Sequence, residues 1–180
     1  MADGCVMDRR LILVTGGARS GKSRYALERA MAAPGPRAFL ATAEELDPEM
    51  EGRVAAHRQA RGEGWQTFEE PIEIAKVLAE TSGRFGAAVL DCLTLWVSNL
   101  LTRRGEHVSP PELEAERLIE VARGWPGLLL VVTNEVGMGI VPDNALARRF
   151  RDLAGDLNRR MAEAADEAYM MMAGMVVRLK

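Results

Sequence analysis

Apolar residues gather in short continuous runs separated by longer amphipathic stretches. The runs are "RLILVTG" (Arg10–Gly16), "AFLATA" (Ala38–Ala43), "AAVLDC" (Ala87–Cys92), "LLLVVTNE" (Leu128–Glu135) and "AYMMMAG" (Ala168–Gly174). A last short run, "VVRLK" (Val176–Lys180), leaves room for an antiparallel closing hairpin. Continuous rather than alternating apolarity belongs to strands covered on both faces, the condition of a parallel sheet between helices. Helical periodicity fills the gaps. "SRYALERAM" follows the first run, and a helix start is expected at Pro110 or Pro111, after the loop "RRGEHVSPPE". The clearest helix follows "PDN" (Pro142–Asn144), where Asp143 or Asn144 can cap. There Leu146, Phe150, Leu153, Leu157 and Met161 recur every three or four residues, while Arg148, Arg149, Asp152, Asp156 and Arg160 fall elsewhere. That apolar face is expected to pack on the sheet. The alternation of strand and helix predicts a doubly wound α/β domain with a mostly parallel central sheet and helices on both faces.

Length and charge narrow the class. A chain of 180 residues suits one domain, expected over residues 9–180 with residues 1–8 as a frayed extension. The formal charge of −3 argues against a surface that coats nucleic acid. Cys5 and Cys92 are the two cysteines, and their spacing matches no metal site. No apolar stretch reaches the ~18 residues of a membrane span, and "MADGCVMDRR" lacks the apolar core of a signal peptide. A cytoplasmic protein with no membrane span and a small partner is the expectation.

The first strand leads into chemistry. Gly16, Gly21, Lys22 and Ser23 fit G-x-x-x-x-G-K-[ST] between a predicted strand and a predicted helix, the context this motif requires. A glycine-rich turn there leaves backbone N–H groups unpaired at the positive end of the helix, where they can ring a di- or triphosphate. Lys22 would reach the outer phosphates and Ser23 would ligate Mg²⁺. The domain is therefore expected to be of the P-loop, RecA-like kind, with its ligand beyond the carboxyl ends of the strands.

Three clusters at those ends carry further signals. Asp91 closes an apolar strand, where P-loop enzymes place a carboxylate that holds the metal directly or through water; a lone Asp there also serves as a helix cap. "TNEVGMGIVP" (Thr133–Pro142) ends another strand with Asn134 and Glu135 and runs through two glycines, a composition that fits either close approach to a ligand or an ordinary connection. In "EMEGRVAAHRQARGEGWQTFEEP" (Glu49–Pro71), helical to about Arg61, residues Arg53, His57 and Arg61 recur every fourth position with Arg58 beside them. A solvated basic face and a face that meets polyphosphate both fit this pattern. In the second case a neutral His57 nitrogen could act as base or as nucleophile at phosphorus. His107, the other histidine, lies in a polar loop.

"ILVTGGARSGKS", the Glu49–Pro71 segment, "VLDCLTLWVSNLL" and "VTNEVGMGIVPDNALARRFRDLAGDLNRRMAEAADEAY" together resemble the bifunctional adenosylcobinamide kinase and adenosylcobinamide-phosphate guanylyltransferase family of cobalamin biosynthesis. These blocks span the chain from about Leu11 onward. The resemblance implies two reactions. A nucleoside triphosphate, ATP or GTP, phosphorylates adenosylcobinamide; GTP then donates GMP to adenosylcobinamide phosphate through a GMP-histidine intermediate. The family histidine sits in an R-[IV]-x-x-H-[RK] segment matched by "RVAAHR", which puts that role on His57. The nucleotide is then expected to meet Gly16, Gly17, Ala18, Arg19, Ser20, Gly21, Lys22 and Ser23 of the P-loop. Ala41, Thr42 and Ala43 after the second strand, Arg58, Gln59, Ala60 and Arg61 after the histidine, and Asp91 complete that set. Glu69 matches the acidic residue of a W-x-T-x-E segment, and a carboxylate there can accept from N1–H and the 2-amino group of guanine. It also reads as a solvated loop residue beside Glu70. The resemblance further implies a homo-oligomer, a trimer. Two departures from the family pattern, the extension before Arg9 and the methionine-rich "MMMAGMVVRLK", touch no motif.

Overall fold

Within the apolar runs, alternate residues sort onto two faces. In β1 (Arg10–Gly16) Leu11 and Leu13 join one buried cluster while Ile12 and Val14 join another. The computed structural model describes residues 9–44, 64–103 and 109–180. Among them, seven strands form one sheet in the order β3-β2-β4-β5-β1-β6-β7. The other strands are β2 (Arg37–Ala41), β3 (Trp65–Glu69), β4 (Ala87–Asp91), β5 (Leu128–Val132), β6 (Glu167–Met172) and β7 (Met175–Arg178). Every pairing is parallel except β6 with β7.

The helices divide unequally between the faces. Helix α1 (Lys22–Met31) covers Ile12, Val14, Phe39, Val89 and Leu130 with Ala26, Leu27 and Ala30. Helices α2 (Ile74–Glu80), α3 (Leu93–Thr102), α4 (Pro111–Gly124) and α5 (Ala145–Ala164) cover the opposite face through Leu78, Trp96, Leu118 and Leu157. The chain leaves β1 for β2, fills the gap with β4 and β5, and then crosses to the other side of β1 for β6. Such a switch point opens a crevice at the carboxyl ends of the strands. Parallel register aligns those ends: Glu69, Ala41, Asp91, Val132 and Val14 stand in one row across the sheet.

The α/β class with a mostly parallel sheet is as the hydrophobic pattern predicts, and the C-terminal hairpin forms. β3 is not among the strands that the hydrophobic pattern predicts. Trp65, Thr67 and Phe68 favour extended backbone, but this edge strand is half exposed and so lacks the continuous apolarity of its neighbours. The second strand stops at Ala41 rather than Ala43. Strand pairing of the fourth run continues beyond β5, because the N–H of Thr133 donates to the Val14 carbonyl at 3.0 Å and that of Glu135 to the Gly16 carbonyl at 3.2 Å. α4 starts at Pro111, and Asn144 caps α5 by accepting from the Ala147 N–H at 2.7 Å. Leu146 departs from expectation, being 53% exposed. A helix of 20 residues is about 30 Å long and overhangs strands of roughly 17–24 Å, so only its part from Phe150 onward meets the core.

Candidate active site

The P-loop conformation follows from two glycines. Gly16 ends β1 at φ +142°, where a Cβ would stand 2.2 Å from the Met171 carbonyl oxygen of β6. Gly21 caps α1 at φ +97°, a conformation that costs other residues strain. Between them the Ser20 N–H donates to the Gly17 carbonyl at 3.4 Å, and the N–H of Gly174, in the β6–β7 turn, donates to the Ser20 carbonyl at 3.2 Å. The C-terminal hairpin thus braces the loop from beneath. The first N–H groups of α1 have no carbonyl partner within the helix and carry its positive end.

Lys22 is buried and its Nζ donates to the Gly17 carbonyl at 2.5 Å. Burial pulls the pKa of its ammonium below the ordinary lysine value, against the opposing attraction of the Asp91 carboxylate. The same carboxylate reaches the buried Cys92 thiol, which desolvation first and then Asp91 push up to about 12. A thiol so protonated is no nucleophile at neutral pH.

Loop and strand ends enclose a cavity of about 420 Å³. Ala18, Arg19, Ser20, Gly21, Lys22 and Ser23 form one wall, with Arg24 beside them, and Ala41, Ala43, Glu69, Asp91 and Asn134 form the other over an apolar floor of Phe39, Leu95 and Val132. Alternation explains this set: Ala41, Asp91 and Val132 point to the same face as Phe39, Val89 and Leu130, the face that α1 covers. β3 lies four strand spacings from β1, roughly 19 Å. A ligand reaching from the P-loop to Glu69 must therefore lie across the strand ends.

Thr42 takes another part. It is fully buried, its Oγ1 donates to the Cys92 carbonyl and accepts from the Cys92 N–H, both at 2.8 Å, and it locks the exit of β2 to that of β4. Asn99 on α3 extends the lock, donating from Nδ2 to the carbonyls of Thr42 at 2.8 Å and Pro71 at 3.1 Å. Trp96 adds Nε1–H to the Ile72 carbonyl at 2.8 Å. Trp96 and Asn99 are not singled out in the sequence; the polar atoms they carry inside the otherwise apolar "LTLWVSNLL" are the signal that marks them.

On the opposite face of the same strand ends a second polar group is buried. Thr15 Oγ1 donates to Glu135 Oε1 at 2.6 Å, Thr133 Oγ1 donates to Asn158 Oδ1 at 2.7 Å, and Thr94 Oγ1 stands 3.3 Å from Thr133 Oγ1. This lattice joins β1, β5, α3 and α5. His57, Arg58, Gln59, Ala60, Arg61, residues 1–8 and His107 lie outside the described residues.

For Mg²⁺, hard oxygen donors are present on both walls, the Ser23 hydroxyl and the Asp91 carboxylate. Among the described residues no group of three or more His, Cys, Asp or Glu forms an all-protein cage. That donor set fits an ion held by one or two protein oxygens, with phosphate and water completing the shell. Among the described residues no helix is long and apolar enough to cross a membrane.

Residues 12–179 match the family model for cobinamide kinase / cobinamide phosphate guanyltransferase. The bifunctional adenosylcobalamin biosynthesis protein CobU of Salmonella typhimurium is 40% identical over 182 residues, covering 94% of this chain and 99% of that protein. CobU of Escherichia coli is 39% identical over 181 residues, with the same coverage. CobP of Pseudomonas aeruginosa is 41% identical over 171 residues, covering 93% and 96%. Among solved structures, the ATPase of a type III secretion system superposes with a TM-score of 0.54 at 12% identity, over 91% of this chain and 51% of that one. The RadB recombinase gives 0.51 at 18% identity, over 89% and 73%. Likeness at that identity concerns the fold, a P-loop domain of the RecA-like kind.

Proposed function

Because the chain belongs to the cobinamide kinase / cobinamide phosphate guanyltransferase family, we propose that it phosphorylates adenosylcobinamide with ATP or GTP and then transfers GMP from GTP to the product. The first reaction releases the nucleoside diphosphate, and the second gives adenosylcobinamide-GDP and pyrophosphate. The observation that carries this reading is the single cavity in which the P-loop and Lys22 face Asp91, with Glu69 on its wall. In the first reaction the substrate hydroxyl oxygen forms a bond to the γ-phosphorus and loses its proton to solvent, while the bond to the β-phosphate oxygen breaks and the nucleoside diphosphate leaves. The α1 N-terminus and Lys22 stabilise charge gathering on the transferred group. Ser23 and Asp91 would hold Mg²⁺, whose chemistry is to neutralise the phosphate oxygens.

In the second reaction an unprotonated His57 nitrogen attacks the α-phosphorus of GTP and pyrophosphate leaves. The phosphate oxygen of adenosylcobinamide phosphate then attacks the same phosphorus, breaking the P–N bond and freeing His57. A covalent step divides one difficult transfer between anions into two. Arg58 to Arg61 contact the nucleotide in this reading, and Glu69 reads guanine by accepting from N1–H and the 2-amino group. The Phe39, Leu95 and Val132 floor supports it by offering apolar surface to the base and sugar. His57 must come within about 3–3.5 Å of the α-phosphorus, in line with the departing pyrophosphate.

His57→Ala is the test. It should abolish both guanylyl transfer and any acid-labile GMP adduct sought by mass spectrometry, while leaving a measurable kinase rate; retained guanylyl transfer would sink the covalent route. The enzyme is read as a cytoplasmic homotrimer. Exposed Met172, Met175, Val176 and Val177 on the C-terminal hairpin, together with Met138 and Ile140, support self-association. Sedimentation equilibrium giving a monomer at micromolar concentration would overturn the trimer.

A further inference from the structure

Beyond Val132 the chain stays extended, and its side chains keep alternating between the two faces of the sheet. Thr133 and Glu135 turn toward α5, where Thr133 Oγ1 donates to Asn158 Oδ1 at 2.7 Å and Asn158 Nδ2 donates to Glu135 Oε1 at 3.1 Å. Asn134, between them, turns to the other face and lines the cavity with Lys22 and Asp91. Its main chain is held at both ends. The N–H donates to Thr94 Oγ1 at 2.8 Å, and the carbonyl accepts from Asn158 Nδ2 at 3.1 Å. Asn158 is 7% exposed and makes three hydrogen bonds, one of them directly to the Asn134 main chain. Among the described residues, hydrogen bonds fix the backbone of Asn134 and leave its carboxamide to the cavity.

We propose that Asn134 is a further catalytic residue of the phosphoryl-transfer step, its carboxamide N–H donating to the outer phosphate of the P-loop-bound triphosphate, and that Asn158 is the positioning residue that aims it. This rests on the function proposed above. A carboxamide has no charge to lose or gain, so it supplies direction where Lys22 supplies charge. Phosphoryl transfer depends on such placement, because charge spreads over the equatorial oxygens and fixed donors meet it without reorganising. A donor anchored through its own backbone to a buried lattice is already placed before the substrate arrives.

The test uses the full chain with adenosylcobinamide and ATP. Asn134→Ala should lower kcat about 10- to 100-fold, with the Kd for ATP within about threefold and the shape of the pH profile unchanged, since no proton transfer is lost. Asn134→Asp, of the same shape but without the donor, should be slower than Asn134→Ala and should weaken ATP relative to ADP by about tenfold in direct titration, through repulsion at the outer phosphate. Asn158→Asp should reproduce the kcat loss of Asn134→Ala in its folded fraction. Because that variant also loses lattice bonds, the decisive contrast is at Asn134, whose side chain bears none of them. A kcat for Asn134→Ala within twofold of wild type overturns the proposal, as does an Asp variant that equals wild type. The titration needs no corrinoid. Equal effects on ATP and ADP overturn the Asn134 contact on their own, whereas absence of cobinamide turnover in the wild-type protein overturns the proposed function instead.

Discussion

At the carboxyl end of the sheet the two faces are built from the same strands by opposite means. On the α1 side Glu69, Asp91 and Asn134 line a cavity opposite the P-loop. On the α5 side Thr15, Thr94, Thr133, Glu135 and Asn158 bond to one another, and among the described residues no buried side-chain polar atom lacks a partner. Neighbouring residues of one strand end thus divide two tasks. Even-numbered positions of the 132–135 stretch meet the cavity, and odd-numbered ones anchor the backbone that carries them. A polar residue aimed at a ligand can be precise without hydrogen bonds of its own when the residues on either side of it are locked from behind.

The largest expected effect breaks the cavity side. Lys22→Ala removes the charge that meets the outer phosphates and should lower kcat/KM of both reactions by about 10²–10³-fold. The fold should survive, since burial already disfavours the ammonium there. Unchanged rates for both reactions would show that the P-loop is not the working site.

Next comes the anchoring side. Thr133→Val keeps the shape but deletes the hydroxyl that satisfies Asn158 Oδ1, leaving a buried acceptor unpaired. The expected cost is about 2 kcal/mol, read as a fall in Tm of about 4–8 °C by calorimetry. An unaltered Tm would mean that the lattice carries no stability, and the contrast between the faces would lose its basis.

The smallest effect sharpens the cavity side at its far edge. Glu69→Gln keeps the length of the side chain but cannot accept from both N1–H and the 2-amino group of guanine as a carboxylate does. Preference for GTP over ITP should fall by up to about tenfold, with the kinase rate on ATP preserved. If the preference is unaltered, guanine is read elsewhere.

Much of this was legible in the chain. Gly16, Gly21, Lys22 and Ser23 announce the loop because their spacing is a local requirement, met within one turn of strand and helix. β1, β4 and β5 announce themselves by continuous apolarity, since each is buried on both faces. β3 gave no such signal, being a half-exposed edge, and Leu146 continued a helical period past the point where the sheet ends. Thr42 stood beside two cavity residues in sequence yet faces Cys92, an assignment that adjacency alone cannot make.

Local physics, then, was determined by the sequence itself: where the strands buried on both faces run, which loop carries the phosphate-binding motif, and that Asp91 stands at a strand end. Tertiary structure decided what depends on chain crossing. The order β3-β2-β4-β5-β1 puts Glu69 and the P-loop on one cavity across four strand spacings. The parallel register levels Glu69, Ala41 and Asp91. Asn158, 24 residues beyond Asn134, becomes its anchor only because α5 folds back over β5. Hydrogen bonds of that kind join residues whose separation along the chain carries no periodic mark, so no reading of spacing can find them, and only the packed helix brings donor and acceptor within reach.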